Sequence, residues 1–454
     1  MSILLYLELI FAYLLRFDVK KIIFLVALLM PFSVSAKLMD LTVFKLDNGL
    51  EVAVIENHKA PVVLQMLYYK TGSINDPKGK GGIAHLLEHL MFRGTEQVPD
   101  QMFNRLTDEY GASNNAYTTY DETGYYEFSD ISKLELMMAL EADRMQNLQI
   151  SDEAFLKERD VVLEERMQRF ETKSAPLFYE NLNKILWQDM PQANPVSGQV
   201  SEIKNLKKAD AEDFYRQWYR PDNALLVLAG DITPKEAKTL AEKYYGKIKA
   251  QGEKPKMETF EKTRAMDVFI QTKLEAVMQP RFVSYLRLEP KSLDKKDVAA
   301  LSLLAEYLAG DDTSYLYDKL VYQDKKLLSV DMGVSYDDKL GGEVAFYTTP
   351  ADEKLSPTEI KALLNKEVAD GLTKLKADKL EKIKHQTLSD TIYLQENPES
   401  TARYVGAMLL SGYDAAEIMA YDDFIRHITL EDVLGAWKKV ETSHVRVSGY
   451  LEGL

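Results

Sequence analysis

The sequence has no cysteine and only six histidines among its 454 residues. The absence of cysteine excludes disulfide bonds, thiolate zinc sites, iron–sulfur clusters and a cysteine nucleophile. A metal ion must therefore be held by histidine and carboxylate side chains. The formal net charge of −15 argues against a nucleic-acid partner, because proteins that bind nucleic acid usually present basic surfaces.

Apolar runs that reach the length of a membrane span, about 20 residues, are missing as well. The run 22–32 is shorter, follows two lysines and precedes small residues that end at Ala36. This arrangement predicts a secretory signal over residues 1–36, cleaved after Ala36, and export to the periplasm. Residues 1–18 carry another apolar stretch. They belong either to a longer signal or a membrane anchor, or to sequence upstream of a true start near Val19.

The remaining sequence has two halves with a similar order of elements. The turn Asp47-Asn48-Gly49 between apolar runs indicates a hairpin, and a strand follows at 61–69. After a polar, lysine-rich segment, weaker counterparts of the first-half elements recur at 276–288, 297–308 and 444–451. This recurrence suggests a duplication.

We therefore expect an α+β fold with two homologous domains, 37–248 and 266–454, joined by a linker over 249–265. Each domain is expected to hold a mostly antiparallel sheet covered by helices. The two domains are expected to face each other across a peptide-holding cavity. Two unrelated α+β domains are the alternative.

Residues 82–95, GIAHLLEHLMFRGT, contain the motif H-x-x-E-H. His85 and His89 are four residues apart, so on a helix both imidazoles project from one face and can reach one metal ion. Glu88 lies beside them and can accept a proton from a water molecule that zinc acidifies. This inverted zinc-peptidase order favours a metal site over two unrelated histidines on an amphipathic helix.

A site with two histidines needs a third protein ligand, usually histidine or a carboxylate. Residues 158–165, ERDVVLEE, offer Glu158, Glu164 and Glu165. Glu158 and Glu165 are seven residues apart and share a helix face, whereas Glu164 points about 100° away. On their own, these glutamates are explained more simply as a solvated helix face.

Together, the two segments resemble the pitrilysin, or M16, metallopeptidase family, which includes insulin-degrading enzyme and the mitochondrial processing peptidase. The resemblance covers nearly the whole chain after residue 36 and points to a short, two-domain, exported bacterial subunit. It implies one zinc ion per chain, held by His85, His89 and Glu165. It further implies that Glu88 is the general base and that Glu158 orients the metal ligands.

The segment Asn115-Ala116-Tyr117-Thr118 resembles the strand beside the zinc in this family. There, a substrate adds as an extended strand through its backbone. The resemblance implies that these four residues contact the peptide, with the Asn115 amide as a further candidate for binding its backbone. A polar loop leading into a strand is the alternative.

The second half departs from the family pattern. Family members that work alone carry an arginine and, seven residues later, a tyrosine that support the substrate carbonyl. Aligned on residues 310–320, these positions are Val321 and Leu328, which cannot donate to an oxyanion. We therefore predict a heterodimer in which a homologous subunit without the zinc motif supplies both groups. A homodimer or a weakly active monomer is the alternative.

The predicted function is zinc-dependent endopeptidase action on short or unfolded peptides. The alternative is a non-catalytic binding or assembly subunit, although such a subunit has no physical need for an intact metal motif. A metallohydrolase of non-peptide substrates is disfavoured by the substrate-strand motif. The other histidines, His58, His385, His427 and His444, lack ligand spacing and are expected at the surface or in the core.

Overall fold

The first half of the chain forms a six-stranded sheet in the computed structural model, which describes residues 39–454 except 172, 189, 251, 254–263, 276 and 353. Its strands are β1 (Asp40–Lys45), β2 (Glu51–Glu56), β3 (Val62–Tyr69), β4 (Ser113–Thr118), β5 (Thr123–Asp130) and β6 (Ala224–Gly230). They lie in the order β1-β2-β6-β3-β5-β4. The β2–β6 pair is parallel, and the other neighbours are antiparallel. The predicted signal, 1–36, and most of the predicted linker, 249–265, lie outside the described residues.

Most helices of the first half cover one face of this sheet. The helices of this half are α1 (Ile83–Leu90), α2 (Met102–Glu109), α3 (Leu134–Asn147), α4 (Asp152–Arg166), α5 (Ser174–Trp187), α6 (Val200–Asn205), α7 (Lys208–Trp218) and α8 (Pro234–Tyr244). The predicted Asn-Gly turn closes the β1–β2 hairpin, with Gly49 at a φ of +95°. Along β3, the alternation of side chains sends Val63, Leu67 and Tyr69 into the core beneath the helices.

The second half forms a five-stranded sheet in the order β7-β11-β8-β10-β9. Its strands are β7 (Met266–Lys273), β8 (Arg281–Leu288), β9 (Leu327–Asp337), β10 (Gly341–Pro350) and β11 (Val445–Glu452). Its helices are α9 (Lys295–Ala309), α10 (Tyr315–Tyr317), α11 (Pro357–Lys374), α12 (Ala377–Leu394), α13 (Pro398–Leu410), α14 (Ala415–Met419), α15 (Tyr421–Arg426) and α16 (Leu430–Glu441). Within the described part of the chain, no helix is both long and apolar enough to cross a membrane.

The two sheets share strand order and strand sense once β1 is set aside. The parallel pair β7–β11 matches β2–β6, and the edge strand β9 matches β4. The predicted α+β class, with two sheets packed by helices, is confirmed.

Each sheet also receives a helix from the other half on its second face. Helix α5 packs on the second sheet, where Phe178 and Leu182 fill the space above Gly449; a Cβ atom there would lie 2.6 Å from both side chains. Helix α13 packs on the first sheet, where Gly406 makes room for the ring of Tyr68. The two halves are therefore interlocked by reciprocal helix packing.

Candidate metal centre

Helix α1 is fixed at its N-terminus and along its buried face. The Asp76 carboxylate accepts the backbone N–H groups of Gly82 at 2.6 Å and Ala84 at 3.1 Å, and Gly82 has a left-handed φ of +88°. The residues that anchor the helix in the core are Ile83, Leu86, Leu87 and Leu90. The opposite face of α1 consequently carries the H-x-x-E-H side chains.

Helix α4 lies beside α1 and brings glutamates to its histidines. Ser151 caps α4 by accepting the N–H of Ala154 at 3.0 Å. Glu158 is buried, Glu165 is partly buried and Glu164 is exposed. The helix therefore turns Glu158 and Glu165 toward α1 and leaves Glu164 in solvent.

Three of the predicted side chains converge on one point. Glu165 Oε2 lies 3.6 Å from His85 Nε2 and 3.6 Å from His89 Nε2. The two imidazole rings are nearly perpendicular, with centroids 5.0 Å apart. Among the described residues, this is the group whose ligand atoms all lie within 4.8 Å of one another.

The geometry of the cluster fits a zinc ion. Tetrahedral zinc with ligands at about 2.0–2.2 Å needs ligand atoms roughly 3.3–3.5 Å apart, close to the 3.6 Å that separates Glu165 Oε2 from each histidine Nε2. Glu165 Oε2 is buried and accepts no hydrogen bond from the described residues, a situation that a bound cation would relieve. Three protein ligands would leave a fourth position open, as catalytic zinc sites do.

Glu158 lies behind the cluster and does not line the cavity in front of it. Its Oε2 is 3.2 Å from His89 Nδ1, and its Oε1 is 2.6 Å from the guanidinium of Arg93. A carboxylate on Nδ1 fixes the imidazole so that Nε2 faces the metal position. The contact of Arg93 with Glu158 was not predicted from the sequence, although Arg93 follows His89 by four residues.

Glu88 faces the same cavity and is held by a residue of β4. The Thr118 hydroxyl donates to Glu88 Oε2 at 2.5 Å. Burial raises the pKa of Glu88, against the hydrogen bond from Thr118, and brings it closer to the range that suits proton transfer. Thr118 therefore touches the catalytic candidate directly, a contact that its position in the strand motif did not predict.

The charges in the cluster are distributed unevenly. Burial and the charge of His89 lower the pKa of His85 to about 4, so this imidazole is neutral at pH 7, as a metal ligand must be. Burial also opposes a charge on His89, but its contacts with Glu158 and Glu165 outweigh burial and raise the pKa of His89 to about 9. The contact with His89 lowers the pKa of Glu165 to about 2 despite burial.

A cavity of about 630 Å³ opens in front of these side chains. All four residues of the predicted substrate strand line it, together with His85, Glu88, His89 and Glu165. They lie on β4, the last strand of the sheet as described, which pairs with β5 on one side. The structure thus gathers every predicted site residue at one place, with Glu158 directly behind it.

The C-terminal half supports the cavity from behind β4. The guanidinium of Arg403 on α13 lies 4.8 Å from the ring centroids of both Tyr117 and Tyr126. Such a cation–π contact stabilises the edge of the first sheet. Sequence reasoning missed Arg403, and no local pattern could have indicated it, because the contact depends on the packing of α13 against the other half.

The positions predicted to lack the arginine and tyrosine lie away from the cavity. Val321 packs against the core of the second half, and Leu328 is 49% exposed. Neither lines the cavity that holds the histidines of α1. The four remaining histidines are exposed, in line with the expectation that they lie at the surface or in the core.

Known proteins share this architecture. The insulinase (peptidase family M16) profile matches residues 51–200, and the peptidase M16 inactive domain profile matches residues 205–387. The solved structures that share the fold include these two. A protease from Helicobacter pylori has a TM-score of 0.81 at 23% identity, over 91% of this chain and 99% of that chain. Pitrilysin has a TM-score of 0.75 at 14% identity, over 91% of this chain and 45% of that chain.

The chain belongs to peptidase family M16. It is 29% identical over 374 residues to the zinc protease PqqE of Helicobacter pylori, an alignment that covers 80% of this chain and 81% of that protein. Cytochrome b-c1 complex subunit 1 of Bos taurus is 30% identical over 203 residues, which is 45% of this chain and 42% of that protein. The relatives thus include both a named protease and a named subunit of a complex.

Proposed function

We propose that this chain is a zinc-dependent endopeptidase that cleaves short or unfolded peptides. The observation that best supports this function is the convergence of His85, His89 and Glu165 on one point, in a cavity that Glu88 also lines. Membership of a peptidase family and similarity to a protein named as a zinc protease support the same reaction.

The residues around the metal position divide the chemistry between them. His85, His89 and Glu165 would hold a zinc ion, which would supply a Lewis acid for the peptide carbonyl and the attacking water. Glu88 would act as general base, accepting a proton from the attacking water and passing it to the leaving amine. Its raised pKa suits both transfers, and the Thr118 hydroxyl holds its carboxylate in position.

The substrate is proposed to lie along β4 as an added strand. An edge strand offers backbone N–H and C=O groups to an extended peptide, and such pairing tolerates many side chains. Asn115, Ala116, Tyr117 and Thr118 line the cavity along this edge. This mode of binding suits an enzyme that acts on unfolded peptides, because a folded substrate cannot offer a free strand.

A second, homologous subunit is proposed to complete the site. Neither Val321 nor Leu328 can donate to a developing oxyanion, and each missing donor costs about 2.7–4 kcal/mol of transition-state stabilisation. A subunit that lacks the zinc motif but carries an arginine and a tyrosine would supply these donors. The similarity to mitochondrial-processing peptidase subunit beta of Saccharomyces cerevisiae, 26% identical over 218 residues, supports a two-subunit arrangement.

The proposed location is the periplasm. The predicted secretory signal over residues 1–36 supports export, and cleavage after Ala36 would release the chain from the membrane. The fold is shared with a structure described as the periplasmic protease PqqL from Escherichia coli, with a TM-score of 0.75.

Two substitutions separate metal binding from catalysis. Glu88→Gln should retain zinc and lower the hydrolysis of an unfolded fluorogenic peptide by about 10²–10⁴-fold, because it removes the general base and no ligand. His89→Ala should lose both zinc and hydrolysis. Metal content is measured by plasma mass spectrometry on the purified chain, and turnover is measured by fluorescence.

Glu164→Gln is the matched control, because Glu164 is exposed on the same helix as Glu165 and should affect neither readout. Full hydrolysis by a zinc-free preparation would contradict the metal assignment. Unchanged turnover in Glu88→Gln would contradict the role of Glu88 as general base.

A non-catalytic assembly subunit is the second candidate function. The similarity to a cytochrome b-c1 complex subunit and the residues at positions 321 and 328 favour it. This candidate predicts that the zinc-loaded chain hydrolyses no peptide, either alone or mixed with a homologous subunit.

A further inference from the structure

A second cleft lies in the C-terminal half, between helices α11 and α16 and above the sheet. Its volume is about 240 Å³. Among the described residues, no residue lines both this cleft and the cavity of the metal centre. Its apolar lining comes from Phe282, Leu286, Phe346, Leu364, Val368, Leu372 and Trp437. This space, called here the α11–α16 cleft, is smaller than the roughly 300–1,000 Å³ that drug-sized ligands occupy.

The rim of the cleft carries a cation, Arg446, that forms no ion pair with a carboxylate of the described residues. Arg446 donates to the backbone carbonyl of Glu441 at 2.9 Å. Lys361, the other cation on the rim, is instead 3.1 Å from the Asp267 carboxylate. Arg446 is therefore the rim group that remains available to an anion.

The lining also contains a buried donor. Trp437 is only 7% exposed, and its indole N–H finds no acceptor in the described part of the chain. A buried N–H without an acceptor is costly, so such groups usually mark a missing partner.

We propose that the α11–α16 cleft binds a small amphipathic carboxylate, with its apolar body among the aromatic and aliphatic side chains and its carboxylate on Arg446. The planar guanidinium matches a planar carboxylate with two parallel hydrogen bonds. The Glu441 carboxylate on the same rim repels a doubly charged phosphate more strongly than a single negative charge. Charge and volume together favour a compact monoanion.

Calorimetric titration of the full chain with octanoate and with 3-phenylpropanoate tests the proposal. At least one of the two should bind saturably at one site, and octanamide, which is neutral, should bind at least about tenfold more weakly than octanoate. Arg446→Gln should raise the dissociation constant by about tenfold or more. Ala369→Leu, which fills the cleft from the exposed side of α11, should weaken binding without touching the core.

Lys382→Gln is the matched control, because Lys382 is an exposed cation on α12 outside the cleft. This variant should bind the carboxylates with the same affinity as the unmodified chain. Circular dichroism establishes that each variant is folded, and the Ala369→Leu result stands alone if Arg446→Gln does not fold. The proposal is overturned if neither carboxylate binds the unmodified chain, or if both folded variants bind with unchanged affinity.

Discussion

Glu158 contacts a proposed metal ligand, His89, without lining the cavity. It is buried between His89 Nδ1 and the guanidinium of Arg93, so its negative charge is matched by a cation on one side and a ring N–H on the other. A buried carboxylate is stable only while such partners remain. The same contact fixes the orientation of the His89 ring, so we propose that Glu158 is a positioning residue.

Glu158→Ala should weaken zinc binding by about 10–100-fold, the usual cost of losing the group that orients a metal-binding histidine. Zinc affinity is measured by competition with a chelator. Glu158→Gln should recover most of the affinity, because its amide oxygen still accepts from His89 Nδ1. Glu164→Ala should have no effect, and an unchanged zinc affinity in folded Glu158→Ala would refute the role.

At the scale of elements, strand β10 separates two environments. Its even-numbered residues Val344 and Phe346 belong to the core beneath the helices, whereas Ala345 and Tyr347 face α5 from the other half. Glu343 lies on the α5 side by the alternation of the strand. Burial raises the pKa of the Glu343 carboxyl from 4.5 to about 7, with no cation in the described residues to offset it.

The raised pKa predicts a pH-dependent stability with a definite sign. The folded state favours protonated Glu343, so this contribution to stability is fully present below pH 4.5 and is lost as the pH rises through about 7. Glu343→Gln mimics the protonated form. Its advantage over the unmodified chain should be small at pH 5 and should reach roughly 1–2 kcal/mol at pH 8.5, allowing for partial solvent screening. Denaturant unfolding at the two pH values measures the free energy of unfolding of the variant and of the unmodified chain.

Asp331→Asn is the control for this measurement. Asp331 is exposed on β9, opposite Tyr347 and on the same face as Glu343. Its replacement should leave the stability unchanged at both pH values. A Glu343→Gln variant that gains the same stability at pH 5 as at pH 8.5 would show that packing, and not titration, is responsible.

Features that depend on residues close together in the sequence could be predicted. Contacts that depend on how distant segments pack could not. The Asn-Gly turn at Gly49 and the histidine spacing of α1 depend on neighbours along the chain. The Asp76 cap of α1 depends instead on the path of the intervening loop, and the contact of Arg403 with Tyr117 depends on how α13 packs. Periodicity reveals which face of an element is apolar but not which distant residue will meet it.

At the scale of the whole molecule, the interlocked halves place the metal centre and the second sheet in one unit. The cavity in front of α1 is nonetheless lined by residues between positions 85 and 197. The second half contributes α13 behind β4, through the contact between Arg403 and Tyr117. Positions 321 and 328 of this half are valine and leucine, and neither lines the cavity. In the proposed two-subunit arrangement, a second chain would supply the arginine and tyrosine.

The two-subunit arrangement predicts how activity should be reconstituted. The tagged chain, purified from the native cell envelope, should bring with it a homologue that lacks H-x-x-E-H and carries the arginine and tyrosine. Mixing the two proteins should raise kcat more than it changes KM, by about 10²–10³-fold for each donor, because an oxyanion donor acts mainly in the transition state. Replacing the homologue's arginine with alanine should remove most of this gain. The Glu88→Gln chain mixed with the same homologue should stay inactive, which assigns turnover to the metal centre on α1. Full turnover by this chain alone, unchanged by the homologue, would contradict a shared site.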